Sequence, residues 1–296
     1  MKTVLCLVFL LSIFVAYIQA EKAEPTYRIT SPVEYQIIQR DSNNTAWVEI
    51  QVTTSLPVSK SGLLEYRLDK NKTWEKLSGE WKNQNHLSRL KMPAGGWYGL
   101  EVREGVNPNN YSQVVQFGVG EIFVVAGQSN SGNYGEKKQA TQTGLVSAFD
   151  FEKKNWQLAI DPQPGAGGRG GSIMPLLGDL LVREFEMPIG IIAYGQGGTS
   201  VREWLPQGSR FRNPPTVENK VRKIKDGEWE SLGKVYPGFI ERMKAFGKNG
   251  FRAVLWHQGE SDANQKDPTR TLAGPLYEKY LTQLIERTRD ELDWPI

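Results

Sequence analysis

Cysteine is nearly absent from this 296-residue chain, which carries a single one, Cys6. It stands in an amino-terminal stretch expected to be removed. The mature chain would then hold no disulfide, no thiol nucleophile and no thiolate metal site. A domain of this size buries enough of its own apolar surface to fold without such staples. Histidine is scarce as well, with two residues, His86 and His257. Charge of one sign is not in excess: Lys and Arg number 36 against 33 Asp and Glu, and loss of Lys2 leaves 35 minus 33, or +2. That balance points away from nucleic acid and from a membrane surface as partners. The uncharged run from Thr3 to Ile18 falls short of the roughly 20 residues a membrane span needs. Preceded by Lys2 and followed by Gln19-Ala20 and the charged Glu21, it has the three-part layout of a secretory signal peptide. Residues 1–20 are therefore expected to be cleaved near Ala20. The protein would be exported to a periplasmic, lysosomal or extracellular compartment, with no membrane attachment afterwards.

What the chain does contain is the composition of a globular protein, 39% hydrophobic and 23% charged, with 9 Trp and 11 Tyr. From Tyr27 to Val119 the pattern is strand-like. Trp47 to Thr53 alternates with period two, so one face is expected to be buried. Leu63 to Leu68, Trp97 to Val102 and Ser112 to Val119 repeat the pattern between turn signals. Strands at this spacing, without helical periodicity, predict an all-β sandwich module over residues 25–118. Its aromatics Trp47, Trp74, Trp81 and Trp97 are expected to pack in the core rather than form a sugar platform.

After Val119 strands alternate with helices. Ile122 to Ala126 reads as a fully buried parallel strand, broken at Gly127 by a polar turn able to open a helix. Gly165-x-Gly167-x-x-Gly170 matches a dinucleotide fingerprint in letters only. It follows Asp161-Pro162-Gln163-Pro164 instead of a strand, and is expected to be a flexible loop. A helix is predicted over Ser172 to Glu186, with Ile173, Leu176, Leu177, Leu180, Leu181 and Phe185 on its buried face. Pro188 to Tyr194 is a second buried strand, ending in Gly195-Gln196-Gly197-Gly198-Thr199-Ser200. Residues 208–230 read as a surface excursion. Leu232 to Phe246 keeps helical spacing, with Pro237 expected to kink or divide it. Phe251 to Trp256 is a third parallel strand, ending in His257-Gln258-Gly259-Glu260-Ser261-Asp262. A helix is predicted from Pro275 to Leu292, and Asp293-Trp294-Pro295-Ile296 looks like the beginning of another strand.

Three strand ends thus carry small or polar residues, and in a parallel sheet such ends converge on one rim. Ser129 is the candidate nucleophile there. Equally, Gln128-Ser129-Asn130 is a polar turn with no chemistry, and it lacks the Gly-x-Ser-x-Gly elbow because Ser131 stands two after Ser129. Close glycine backbone at 197–198 and the Gln258 amide supply donors of the kind an oxyanion hole uses. Gln258 is as well explained as a buried amide satisfying loop backbone. For Glu260 and Asp262, loop hydrogen bonding or solvation is the better account.

Taken together, Gly127-Gln128-Ser129-Asn130, Gly197-Gly198-Thr199-Ser200 with Trp204, and Trp256-His257-Gln258-Gly259-Glu260-Ser261-Asp262 resemble the SGNH (GDSL-type) hydrolases. The nearest branch is the sialate O-acetylesterase-like group, which includes the acetylxylan esterases of carbohydrate esterase family 6. The resemblance covers residues 119–296 and implies a three-layer α/β/α domain with a parallel sheet. It further implies hydrolysis of an O-acetyl ester on a sugar through a serine acyl-enzyme, with no metal and no cofactor. Ser129 would be the nucleophile and lend its own N–H, Gly198 a second donor and Gln258 a third. Gly197, Thr199 and Glu260 would line the substrate.

The family's acid–base pair, an Asp and a His three residues apart after the fifth strand, has no counterpart here. His86 lies in the β module. His257 neighbours Gln258 on extended backbone, where adjacent side chains point apart. The hydrolase domain is therefore expected to lack its last strand and its histidine loop, with both expected beyond Ile296. The chain as written is expected to expose an open sheet edge and to show trace activity. Two other functions remain open, a catalytically silent carbohydrate-binding protein and a lipid or short-acyl esterase of the same fold.

Overall fold

The computed structural model describes residues 25–55, 62–69, 72–107, 109–264 and 266–294. The expected signal peptide lies outside them. In chain order the amino-terminal strands are β1 (Tyr27–Ser31), β2 (Gln36–Gln39), β3 (Thr45–Thr54), β4 (Leu64–Leu68), β5 (Glu75–Leu77), β6 (Gly79–Lys82), β7 (Asn85–Pro93) and β8 (Gly95–Glu104). Strands β1, β3, β7 and β6 make one antiparallel sheet. The alternation read at Trp47 to Thr53 is real: Val48, Ile50 and Val52 point inward from β3. They meet Leu64, Leu100 and Val102 of a second sheet in one apolar core.

That second sheet contains β9 (Val115–Gly127), and β9 does not stop at its border. Its first half pairs with β8 in antiparallel and with β2 in parallel register. Its second half is the central strand of a parallel sheet. There β12 (Ile189–Gly195) lies on one side and β16 (Ala253–His257) on the other. Two strands absent from the sequence reading extend the β12 side: β10 (Val146–Asp150) runs parallel to it, and β11 (Asn155–Leu158) closes that edge in antiparallel. Strand β16 has β9 as its sole strand partner among the described residues.

Helices cover both faces. Phe123 and Val125 of β9 face α1 (Met174–Phe185), while Ile122, Val124 and Ala126 face α2 (Tyr236–Phe246) and α3 (Gly274–Leu292). The stripe expected on the first helix is displaced. Ile173, Leu176 and Leu180 are exposed, whereas Met174, Gly178 and Val182 are buried. The cause is Gly178: a Cβ there would come within 2.4 Å of Val146 Cγ1, so the helix docks through its glycine. Pro237 neither kinks nor divides α2. It sits in the first turn, where a missing N–H costs nothing. The 208–230 excursion carries a small antiparallel sheet of β13 (Arg210–Phe211), β14 (Val221–Lys223) and β15 (Trp229–Ser231), which buries Phe211 and Val221. Of the four tryptophans expected in the amino-terminal core, Trp47 is 56% exposed under Arg89, and Trp74 is stacked between Arg67 and Arg103. Trp97 instead ties the two halves, donating to the Gly144 carbonyl over 2.9 Å. Among the described residues no helix is long and apolar enough to cross a membrane.

Glu121, fully buried, marks the point where β9 passes from one sheet system to the other. Its carboxylate receives Arg40 at 2.6 Å, Gln39 at 2.6 Å and both Nε and Nη2 of Arg252, at 2.8 and 2.5 Å. Removing the carboxylate strands two cations against buried surface. Glu121→Ala is expected to cost about 3 kcal/mol of stability, read from the denaturant midpoint of tryptophan fluorescence. A loss below about 1 kcal/mol would show that the clasp is not holding the two halves.

Candidate active site

The strand order places a topological switch at β9. The chain leaves β9 for β10 and β12 on one side and returns as β16 on the other, which opens a crevice at the carboxyl ends. Ser129 stands on that rim as the first residue of a single 3-10 turn, Ser129–Ser131. The turn does not open a helix, since α1 begins only at Met174. No α-helix N-terminus therefore backs the serine, and any charge stabilisation falls to local N–H groups. Ser129 is half-buried, and its hydroxyl makes no hydrogen bond among the described residues. The backbone N–H groups of Ser129, Gly197 and Gly198 are likewise without acceptors there.

The three turns named in the sequence do come together. Gln128 N–H donates to the His257 carbonyl over 3.0 Å, and Gln196 N–H to the Gly127 carbonyl over 2.8 Å. Gly195 lets the serine turn lie against the end of β12, because a Cβ would lie 2.1 Å from the Ser131 carbonyl oxygen. Gly198 has φ +72°, the left-handed region that favours glycine. Gly197 backs onto the Tyr134 ring.

Two of the residues named from the sequence are tied into the turns themselves. Thr199 is fully buried, accepts from Trp204 Nε1 over 2.9 Å and donates to the Gln196 carbonyl over 2.8 Å, so it holds the turn. Gln258 has both amide hydrogens committed. Its Nε2 faces Asp262 Oδ2 at 2.6 Å and Gln128 Oε1 and the Thr199 carbonyl at 3.2 Å each, three acceptors for two hydrogens. In this arrangement it braces the turn. Glu260 is exposed, accepts from Asn130 Nδ2 over 2.7 Å and lies 3.8 Å from His257 Nδ1. His86 is remote in the amino-terminal core, edge-on to Trp81, and burial pulls its pKa down. Among the described residues no cluster of His, Cys, Asp or Glu is placed to hold a metal ion.

The glycine-rich loop is not loose either. Asn133, 2% exposed, donates to the Gln163 and Ala166 carbonyls over 2.9 and 3.1 Å and accepts the Gln163 N–H over 2.7 Å. The loop thus struts the serine turn from the side.

Beneath the rim lies a group of charges that the sequence reading missed. Arg202 is fully buried and spends all five N–H groups. They go to Ser200 Oγ at 3.1 Å, the Asn213 and Pro214 carbonyls at 3.1 and 3.0 Å, the Arg270 carbonyl at 2.7 Å and Asp262 Oδ1 at 3.3 Å. Asp262 also accepts the Val201 N–H over 2.8 Å, and burial still raises its pKa. Glu203, fully buried, accepts the Ser200 N–H and hydroxyl and the Val217 N–H. Ser200 and Glu203 form a capping box, Ser-x-x-Glu, whose spacing is legible in the sequence.

A parallel sheet whose central strand ends on an unpaired serine, ringed by braced polar turns, has the build of an α/β enzyme domain. Residues 119–296 match the family described as carbohydrate esterase, sialic acid-specific acetylesterase. The match takes in more than half of the chain, and the chain belongs to that family. A solved structure of a carbohydrate acetylesterase from Xanthomonas citri is similar over 88% of this chain, at 18% identity and a TM-score of 0.45. This chain spans 56% of that protein's length. No curated protein sequence matches the chain significantly.

Burial pushes Glu203 from 4.5 to about 7. The folded state therefore keeps a proton that the unfolded chain releases. Its contribution to stability is whole below pH 4.5 and is lost as pH rises to about 7, a span worth about 3 kcal/mol. Glu203→Gln is expected to flatten the fall of Tm between pH 5 and 7. An unchanged slope would assign the titration to another group.

Proposed function

We propose that the protein hydrolyses O-acetyl esters carried on carbohydrate, by attack of Ser129 on the acetyl carbonyl. The observation that carries the reading is Ser129 itself. It stands at the switch point, its hydroxyl unpartnered among the described residues, while the buried polar side chains around it are taken up in the scaffold. Membership of the family supports the acetyl group and the sugar. The Ser129 Oγ–carbonyl bond forms, the sugar alcohol leaves with a proton, and water then releases acetate from the acyl-enzyme. The N–H groups of Ser129 and Gly198, without acceptors among the described residues, face the developing oxyanion in this reading. Gly197 and Glu260 border the same rim and are assigned to the substrate. A sialate O-acetylesterase or an acetylxylan esterase fits this site, acting after export from the cell.

A second reading, binding without turnover, is favoured by one feature. A serine hydroxyl needs a positioned base, and neither His86 nor His257 hydrogen-bonds to it among the described residues. Acetylated sialic acid and acetylated xylooligosaccharide, set beside p-nitrophenyl esters of rising chain length, separate sugar from acyl selectivity. With the full-length gene product, Ser129→Ala is expected to lower acetate release about 1,000-fold or more while Tm barely moves. Turnover above a tenth of wild type would remove Ser129 from the role. Binding of acetylated sugar with no acetate released by the wild type would favour the silent reading.

A further inference from the structure

Gln128 precedes the serine and is 4% exposed. Its Oε1 receives two backbone N–H donors from the turn after β16, Gly259 N at 3.3 Å and Ser261 N at 3.0 Å, and faces Gln258 Nε2 at 3.2 Å. These bonds join residues 130 or more positions apart in the chain. They fix the side chain next to Ser129 onto the opposite wall of the crevice. The donors are themselves held from behind. Gln258 Nε2 is drawn to Asp262 at 2.6 Å, Asp262 is paired with the fully buried Arg202, and Tyr277 Oη donates to the Gln258 carbonyl over 2.9 Å. On its own side Gln128 lends its carbonyl to the Ser131 N–H and hydroxyl, at 3.0 and 2.8 Å, which close the serine turn. One carboxamide therefore connects the serine turn to a wall braced by a buried ion pair.

We infer that Gln128 is a positioning residue, whose side-chain oxygen sets where Ser129 stands relative to the Gln258–Ser261 turn. This rests on Ser129 as the nucleophile. The working atom is Oε1, a carbonyl oxygen surrounded by donors. A carboxylate oxygen accepts the same bonds, whereas a thioether of similar length is only a weak acceptor. A displacement of about 1 Å at a nucleophile is enough to cost on the order of 100-fold in rate.

The test compares Gln128→Glu with Gln128→Met in the full-length gene product, by two measurements. The first is amide hydrogen exchange at Gly259 and Ser261, which does not depend on turnover. Both amides are expected to lose protection in Gln128→Met and to keep it in Gln128→Glu. The second is acetyl ester hydrolysis, where Gln128→Met is expected to lower kcat about 100-fold with KM little changed, and Gln128→Glu to recover most of that loss. Unchanged exchange at Gly259 and Ser261 in Gln128→Met would overturn the inference, whatever the activity. So would equal kcat losses in both variants with exchange preserved in Gln128→Glu, since the amide N–H and not Oε1 would then be the working group. Loss of exchange protection in Gln128→Met, in a protein whose Ser129→Ala variant still turns over, would keep the brace and reject only the serine.

Discussion

Everything in this molecule hangs on one strand serving two sheets. In its first half β9 is an ordinary member of the amino-terminal β architecture. From Glu121 onward it is the centre of a parallel sheet with helices on both faces. Alternation along the second half sends Phe123 and Val125 to one helical layer and Ile122, Val124 and Ala126 to the other, so both layers are keyed to the same few residues. A strand buried on both faces has no room for polar side chains. Glu121 is the exception, placed where the two systems meet and neutralised from both by Arg40 and Arg252.

The same economy governs the crevice. Its outer parts are a serine and bare backbone. Its inner parts are amides and charges whose hydrogen bonds close on one another. A buried ionic group of this kind is a poor source of stability, because desolvation offsets attraction. Its value lies in permitting one geometry. The Arg202 fork reaches five acceptors on four separate segments, and a shifted turn would leave several buried groups unpaired at once.

The parts of the fold with strong periodicity were legible: strands β3, β12 and β16, the carboxyl-terminal helix, and the two ends of β9, which the sequence pattern splits into separate strands at Val119. The failures have physical causes. The first helix turns its leucines outward because Gly178 lets it dock closely on Val146, a tertiary contact that outweighs hydrophobic pattern. Pro237 reads as a breaker because sequence does not announce that it falls in a first turn. The hydrogen bonds that tie Thr199 and Gln258 into their turns were not legible, since letters give position along a turn but not the direction of a side chain. Arg202 and Glu203 were overlooked because charged residues are ordinarily surface residues. The Ser200-x-x-Glu203 spacing was the available clue.

The brace between Gln128 and the Gln258–Ser261 turn also has a consequence in time. It joins segments 130 residues apart through parallel strand pairing, the slowest kind of contact for a chain to find. The serine turn, the glycine-rich loop and the wall behind Gln258 come from separate stretches of the chain, joined by hydrogen bonds. The crevice therefore rests on contacts of long sequence separation, the kind for which a chain gives up the most loop-closure entropy.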